Sequence, residues 1–540
     1  MKKYLLINGE VITVNSQNDI AQAVAVEGNR IIAVGKNEAI LSLKDGNTEV
    51  IDLQGRTLMP GFIDAHLHIT LHGTNELSVS CKDENIKSIS DVLAALKEKA
   101  TATPKGKWVR AWGYNESRVM ENRLPTKEEL DSVSIEHPII VTRTCNHISA
   151  VNSKALEIAG LTNDSPEPEG GRLGRHANGA LNGKLIETAH MDMFAKASFT
   201  DEEIEEAHRI ASRQFAEKGI TSIHEASGFG FHNLRQLQAH SQAGIIKQRV
   251  YTMVSALNGA DKIVEKMNNI AVYTGIGDAK YRIGPVKLFL DGSSSGPTIW
   301  TRDPYTSNPN DHGVHYYEQE EVDALFIPAH KNGWQITAHA QGDAAIDMLL
   351  NTIEKANKLY PRKDARHRIE HAGIAAPDLI KRMKEQQVIP TPNPAFHYEF
   401  GDGYVENYGE RSAQMYPLRD YLEAGVSAAI GSDCPVTTYH PMRGLHAALT
   451  RKSHTGQVIG ADKTVELFDA IRMYTLNGAY ASFEEDIKGS IEVGKLADLI
   501  LLDRPLVGTD VDEIPEVEVE WTMIDGEFVF SRKEAVGVKS

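Results

Sequence analysis

The later part of the chain repeats a simple pattern, in which an amphipathic helix is followed by a short apolar run that ends at Gly, Asp or Pro. From residue 206 onwards these runs include ITSIHEASG, VKLFLDG, WQITAHAQGD and VSAAIGSDCP. Helices that alternate with buried strands are typical of parallel sheets, because the helices cover the faces of the sheet. Together with one earlier run at residues 58–72, the pattern predicts eight strands in a (β/α)8 TIM barrel, an α/β fold.

The earlier run, TLMPGFIDAHLHIT, contains His66 and His68. Side chains two residues apart on a strand point to the same side, so both imidazoles are expected to face the barrel interior. An isolated His-x-His pair is weak evidence for a metal site, because the chain has 21 histidines. Four later predicted strands each end at a further potential ligand, namely Lys287, His339, His371 and Asp433. The C-terminal ends of barrel strands meet at one face, and these side chains are therefore predicted to form one site.

Two of these positions also have simpler explanations. Taken alone, Lys287 would be an ordinary buried lysine paired with Asp291, four residues later in the chain. Glu370 precedes His371, and two roles stay open for it: orienting a metal-binding histidine, or forming an ion pair with Arg368.

The order His-x-His, Lys, His, His and Asp resembles the amidohydrolase superfamily of metal-dependent hydrolases. The segments PGFIDAHLH, KLFLDGS, TAHAQGD, IEHAG, GSDCPV and GSIEVGKLADLILLD resemble the branch that contains N-substituted formamide deformylase. The resemblance implies two divalent metal ions, with Zn2+ favoured and Mn2+, Fe2+ or Co2+ as other occupants. It implies His66, His68 and Asp433 as ligands of one ion, His339 and His371 as ligands of the other, and an N6-carboxylated Lys287 as the bridge.

Electrostatics favours the carboxylated lysine over an ordinary one. An ammonium cannot bind a metal ion, whereas the carbamate formed from a lysine and CO2 offers two oxygens. Two divalent ions about 3.5–4 Å apart repel each other by about 18 kcal/mol at an effective dielectric constant of about 20. The carboxylate of Asp433, the carbamate of Lys287 and a bridging hydroxide together offset most of the positive charge.

The predicted reaction is hydrolysis of an amide-type C–N bond, in an N-substituted amide or formamide, by a metal-activated hydroxide. Asp433 is predicted to take the hydroxide's proton and to deliver it to the leaving amine. Two alternatives stay open. One is a cyclic imide hydrolase or a deaminase with the same metal core, and the other is a non-catalytic regulatory or binding protein.

Both ends of the chain are rich in short β-type runs, at residues 1–57 and 485–540. These ends are predicted to pair into a small β-sandwich domain, as in the superfamily that the chain resembles. The first barrel strand is placed at residues 58–72 and the remainder of the barrel at residues 206–484. Residues 73–205 lack regular alternation and form an insertion of about 130 residues, which is too long for a loop. They are therefore predicted to be a cap subdomain over the active-site mouth.

Residues that contact the substrate are predicted from residue type and position. Trp112, Tyr114 and His147 are the candidates in the cap, and His147 lies in CNHISAVNSKAL, which resembles a motif of the same branch. The alternative for His147 is a packing residue beside the start of a helix. Asp291 and Trp300 are the candidates in the loops that follow barrel strands.

Composition narrows the function classes. The net charge of −17 argues against a nucleic-acid partner, which would require a basic surface. No apolar stretch is long enough for a membrane span, and the N-terminus lacks the features of a signal peptide. The three cysteines, Cys81, Cys145 and Cys434, have no zinc-finger spacing and are too few for a disulfide-built domain. We predict a cytoplasmic enzyme that acts on a small-molecule amide, and a homo-oligomer stays open.

Overall fold

The computed structural model describes residues 2–82, 84–144, 147–226, 231–255 and 260–532. Cys145 lies outside the described residues. The chain divides into two compact units, of which the first comprises Met1–Ile69 and Ser212–Ser540 and the second is Thr70–Ala211. None of the helices in the described ranges has the length and apolar character of a membrane span. The cytoplasmic location stays a prediction, as do the domain boundaries.

The first unit contains a seven-stranded parallel sheet that forms a nearly closed barrel. Its strands, whose sheet order follows their chain order, are Phe62–Leu67, Ile220–Glu225, Arg249–Ser255, Tyr281–Phe289, Ile336–Ala340, Arg368–His371 and Ile389–Thr391. Neighbouring strands that follow each other in the chain are expected of repeated βα units. The predicted parallel α/β barrel is therefore present, with seven regular strands in place of eight.

The eighth predicted strand, at residues 426–433, is not a regular strand, although it bonds to both edges of the sheet. On one side, the Asp433 amide donates to the His66 carbonyl at 2.7 Å. On the other side, the Gly431 amide donates to the carbonyl of Pro392 at 3.2 Å. Prolines occupy alternate positions of the facing segment IPTPNP and have no N–H to donate in return. A regular ladder of hydrogen bonds therefore cannot form along that side.

The fourth barrel strand shows how the core is separated from the barrel interior. Val286 and Leu288 are buried in a hydrophobic cluster that includes the helix residue Phe326. The intervening side chains, Lys287 and Phe289, line an interior cavity. Because side chains alternate along a strand, one set packs the helix layer and the other faces inwards.

The helices of the first unit complete the βα pattern. They are Asn37–Leu41, Phe231–Gln242, Ala260–Asn269, Gln319–Lys331, Asp343–Leu359, Pro377–Gln386, Ala395–Tyr408, Leu418–Glu423, Pro441–Thr450, Leu467–Met473 and Leu476–Ala481. Two further helices, Ile69–Glu76 and Asp201–Glu217, contain the residues at which the chain divides into its two units.

Strands from both chain ends pair in one sheet of the first unit. This six-stranded sheet has the order Glu527–Ser531, Val519–Ile524, Leu499–Leu502, Thr57–Pro60, Glu10–Ile12 and Ile20–Ala21. A four-stranded sheet has the order Arg30–Gly35, Ala23–Glu27, Lys3–Ile7 and Thr48–Asp52. Both sheets contribute to one hydrophobic cluster, which includes Leu6, Leu58 and Trp521. Their arrangement as a β-sandwich domain stays a prediction.

Arg249, at the start of the third barrel strand, links the barrel to the terminal sheets. Its guanidinium donates to both carboxylate oxygens of Asp498, at 2.6 and 2.9 Å, and to Asp525 at 3.0 Å. Arg249 and Asp498 are both buried. Removing one partner of a buried ion pair leaves the other charge without compensation.

We expect Arg249→Ala to lower the free energy of unfolding by about 3–5 kcal/mol, the usual cost of breaking a buried pair. Urea denaturation of the purified variant measures this loss. The matched control is Arg504→Ala, which removes a more exposed pair with Asp503 at 2.9 Å and should cost less than about 1 kcal/mol. Equal losses in the two variants would contradict the role assigned to Arg249.

The second unit has a mixed six-stranded sheet of its own, with the order Gly171–Arg175, Leu181–Glu187, Ile148–Val151, Ile139–Arg143, Val109–Tyr114 and Val79–Ser80. Its helices are Ile89–Ala102, Lys127–Val133, Ser153–Ala159 and Thr188–Lys196. Three of them begin at side-chain caps, in which Ser88, Thr126 and Asn152 accept a backbone N–H of the first turn. The role of residues 73–205 as a cap subdomain stays a prediction.

Candidate active site

The six side chains that the sequence analysis selected as metal ligands lie around one cavity of the first unit. This cavity has a volume of about 620 Å3 and is lined by, among others, His66, His68, Lys287, His339, His371 and Asp433. All six are buried except the partly exposed His339. They come from the ends of four barrel strands, the middle of the fourth strand and the irregular eighth segment. The structure therefore brings the predicted ligands together at one end of the barrel.

His66, His68 and Asp433 form the tightest group at this site. Oδ1 of Asp433 lies 3.0 Å from Nε2 of His68 and 3.4 Å from Nε2 of His66. One potential ligand atom of each residue lies within 4.8 Å of the other two. Burial raises the pKa of Asp433, but its hydrogen bonds with the two histidines outweigh burial and hold that pKa well below its ordinary value. The group therefore offers an ionised carboxylate beside two imidazoles.

Lys287 lies next to this group. Its Nζ is 3.4 Å from Nε2 of His66 and 4.6 Å from the ring centroid of Phe289. The side chain is fully buried, and burial lowers its pKa to about 8, against the opposing effect of nearby carboxylates. Lys287 makes no ion pair with any residue in the described part of the chain, so the proposed pairing with Asp291 is wrong. A buried amine with a lowered pKa is neutral more often than an exposed one, and the neutral amine is the form that reacts with CO2.

His339 and His371 lie on the adjoining side of the cavity. The ring centroid of His371 is 4.5 Å from that of His339 and 4.6 Å from that of His66. Burial lowers the pKa of His339 to about 4 and holds the pKa of His371 well below its ordinary value. Both rings are therefore neutral near pH 7, which is the form that binds metal ions. Nε2 of His339 donates to the Gly292 carbonyl at 2.8 Å, which leaves the lone pair of His339 on Nδ1.

The backbone at two of these residues is strained. His371 has φ 72° and Asp433 has φ 57°, both in the left-handed region that residues other than glycine seldom adopt. Such conformations cost about 1–3 kcal/mol each and are concentrated at functional sites, where the surrounding structure holds them in place.

Glu370 performs both of the roles that the sequence left open. Its Oε2 lies 2.5 Å from Nδ1 of His66, and Arg368 donates to its two oxygens at 2.9 and 3.0 Å. Thr337 donates a third hydrogen bond at 2.6 Å. Burial raises the pKa of Glu370, but the Arg368 charge and the His66 contact hold it well below its ordinary value. An ionised carboxylate only accepts, so Nδ1 of His66 carries the proton and Nε2 presents its lone pair to the cavity.

Asp291 lines the cavity as part of a network with main-chain amides. Its carboxylate accepts hydrogen bonds from the backbone amides of Trp300, Gln341 and Gly342, at 3.0, 3.0 and 2.7 Å. One oxygen lies 3.5 Å from Nε2 of His339. Burial nevertheless raises the pKa of Asp291 to about 7. The Trp300 side chain does not line the cavity within the described part of the chain, and its contact with substrate stays a prediction.

The predicted substrate residues of the insertion belong to the second unit. The ring centroid of Trp112 lies 4.9 Å from Nζ of Lys82. The Tyr114 hydroxyl donates to a main-chain carbonyl at 2.5 Å, and Nδ1 of the exposed His147 lies 2.9 Å from a carboxylate oxygen of Glu187. Their contact with substrate stays a prediction.

The cavity also has aromatic and apolar walls that the sequence analysis missed. These are formed by Phe289, Tyr316, Tyr317, Phe396 and Val436. Phe289 could have been found, because it lies two residues after Lys287 on the same face of the strand. The other four lie beyond the strand ends, in loops or at the start of a helix, where no regular spacing connects them to the site.

The chain is similar to known proteins along nearly its whole length. A sequence model of the amidohydrolase family matches residues 49–530. N-substituted formamide deformylase of Arthrobacter pascens is 30% identical, over 98% of this chain and 99% of that protein. Protein LONG AFTER FAR-RED 3 of Arabidopsis thaliana is 26% identical, over 92% of this chain and 86% of that protein. A solved structure of an uncharacterized metal-dependent hydrolase from Pyrococcus horikoshii OT3 has a TM-score of 0.78 and 24% identity, over 95% of this chain and 99% of that one, and shows the shared fold.

Proposed function

The chain belongs to the amidohydrolase family, and we propose that it is a metal-dependent hydrolase that cleaves the amide-type C–N bond of a small N-substituted amide or formamide. The observation that carries this proposal is the group of His66, His68 and Asp433, whose potential ligand atoms lie within 4.8 Å of one another beside Lys287. The similarity to an N-substituted formamide deformylase over 98% of the chain supports C–N hydrolysis in particular.

The donor set fits divalent metal ions. Neutral imidazoles combined with a carboxylate suit Zn2+, with Mn2+, Fe2+ or Co2+ as other occupants. We assign His66, His68 and Asp433 to one ion, His339 and His371 to a second, and an N6-carboxylated Lys287 to the bridge between them. When bound, the ions supply a Lewis acid for the carbonyl oxygen and lower the pKa of a water molecule.

Asp433 moves the proton in the proposed reaction. Its carboxylate is ionised near pH 7 and faces the cavity. It accepts a proton from the water that attacks the carbonyl carbon, and it delivers that proton to the nitrogen as the C–N bond breaks. The water oxygen ends in the carboxylic acid product, and the nitrogen leaves as an amine.

The cavity favours a small molecule with an apolar part. A volume of about 620 Å3 is within the range of small-molecule sites. Phe289 and Phe396 supply apolar walls, while Asp291 and Gln341 supply polar groups beside the proposed ligands. Cyclic imides and deaminase substrates are the alternatives on the same metal core, and they belong in the same substrate panel.

Metal removal tests the proposal. We expect prolonged chelation to abolish hydrolysis of the responsive amide and added Zn2+, Mn2+ or Co2+ to restore it, because the residues alone supply no Lewis acid. Metal content is measured by elemental analysis beside each rate, across N-substituted formamides, other amides, cyclic imides and amino-substituted heterocycles. Full activity in a preparation with less than one metal ion per chain would contradict the proposed centre. A metal-loaded protein that is inert towards the whole panel would instead favour the regulatory or binding alternative.

A further inference from the structure

Asn393 makes a contact with the site that no part of the proposed reaction uses. It lies just beyond the last barrel strand, Ile389–Thr391, and is fully buried. Its Oδ1 lies 2.7 Å from Nδ1 of His371, and its Nδ2 donates to the Gly431 carbonyl at 2.8 Å. The side-chain amide therefore joins a proposed metal ligand to the irregular segment that closes the barrel.

The chemistry of the two partners determines how the amide of Asn393 is oriented. A main-chain carbonyl only accepts hydrogen bonds, so the amide NH2 must face Gly431. The amide oxygen must then face His371, and because this oxygen also only accepts, Nδ1 of His371 must carry a proton. A neutral imidazole has one N–H, so the lone pair of His371 lies on Nε2. One hydrogen bond to Gly431 thus selects which nitrogen of His371 can bind a metal ion.

The backbone around Asn393 is restricted, which makes this arrangement rigid. Asn393 lies between Pro392 and Pro394. Proline fixes its own φ angle, and a residue that precedes proline is confined to extended conformations. The side chain of Asn393 is therefore presented from a backbone with little freedom.

The Gly431 end of the amide is equally constrained. A Cβ atom at position 431 would lie 2.5 Å from Cβ of His66, so this segment packs directly against the first barrel strand. Asp433 follows two residues later, and its amide donates to the His66 carbonyl at 2.7 Å. Asn393 thus connects the ring of His371 to the segment that positions Asp433.

We propose that Asn393 is a positioning residue, which holds His371 in the form with a free Nε2 and keeps its ring in register with the segment that carries Asp433. The proposal rests on the proposed function, since it assumes that His371 binds a metal ion. Groups that orient metal-binding histidines typically change metal affinity by about 10–100-fold when they are removed.

Two variants separate this role from a purely structural one. Asn393→Leu keeps the size of the side chain but removes both hydrogen bonds. Asn393→Asp loses the NH2 group but keeps an acceptor for Nδ1 of His371, and when protonated its carboxyl group can also donate to Gly431. The matched control is Asn152→Leu, because Asn152 is a fully buried asparagine of the second unit that bonds only to main-chain groups in the described structure.

The experiment uses the full-length protein loaded with Zn2+ or Co2+. Zn2+ affinity is measured by competition with a chelator, and the geometry of the bound Co2+ by its visible absorption. We expect Asn393→Leu to weaken the affinity of one of the two ions by about 10–100-fold and to change the Co2+ spectrum. Asn393→Asp should stay within a few-fold of the parent, and Asn152→Leu should change neither readout. If the Leu variant does not fold, Asn393→Ala takes its place with the same criteria.

The possible results distinguish this inference from the proposed function. If Asn393→Leu and Asn393→Asp both bind Zn2+ as tightly as the parent, the positioning role is wrong and the metal centre stands. Equal losses in the Leu and Asp variants would also overturn it, because the acceptor towards His371 would then be irrelevant. A parent protein that binds no divalent ion would overturn the proposed metal centre, and the positioning role with it.

Discussion

Asp433→Asn is expected to lower kcat by at least about 100-fold while the fold is retained, the usual effect of removing a general base. Asparagine has nearly the same shape as aspartate, but its amide cannot accept and return a proton. The substitution also removes a negative charge that lies 3.0 Å from Nε2 of His68. Steady-state kinetics of the metal-loaded variant, with an amide that the parent hydrolyses, measures the loss.

The matched control for this variant is Asp323→Asn. Asp323 is buried to a similar extent as Asp433, with 8% exposure against 6%. It accepts a hydrogen bond from Thr352 at 2.7 Å, on the helices that surround the barrel. We expect its substitution to leave kcat within a few-fold of the parent. A similar result for Asp433→Asn, at unchanged metal content, would remove Asp433 from the mechanism.

Lys287→Ala is expected to lose both metal ions and activity. The proposed bridge is an anion, and without it the repulsion between two divalent cations is no longer offset. The substitution also leaves a space in the cavity wall as large as a lysine stem with a carboxylate group. A short free carboxylate, such as acetate or propionate, fits such a space and can replace the lost charge. We therefore expect partial rescue of metal content and activity that rises with the carboxylate concentration.

Elemental analysis and initial rates, measured over a range of propionate concentrations with added Zn2+, test this prediction. The matched control is Lys488→Ala, since Lys488 is also buried but forms an ion pair with Glu484 at 2.8 Å. Propionate should have no effect on the control. The bridging role of Lys287 would be refuted by an Ala variant that holds two metal ions and turns over normally without added carboxylate.

The barrel was predictable because its signal is local. Apolar runs with a period of two, separated by amphipathic helices, located all seven regular strands. The positions of the potential ligands followed from the same pattern, since each one lies near the end of a run and the ends of parallel strands meet at one face. The assumption that fails is regularity in the closing segment, where the prolines of IPTPNP remove the donors that an eighth strand would need.

Contacts between distant parts of the chain were not predictable in the same way. The sequence could place Glu370 beside His371, but its contact is with His66, 304 residues earlier in the chain. Asn393 showed no signal at all, because its role depends on a carbonyl 38 residues later.

The sequence by itself determined the order of strands and helices and the chemical types of the ligands, because these depend on periodicity and on residues near each other in the chain. The tertiary structure alone decided which nitrogen of each histidine is free, which charges surround Lys287, and which aromatic side chains enclose the cavity. These properties depend on hydrogen bonds and burial between segments that only the closed barrel brings into contact.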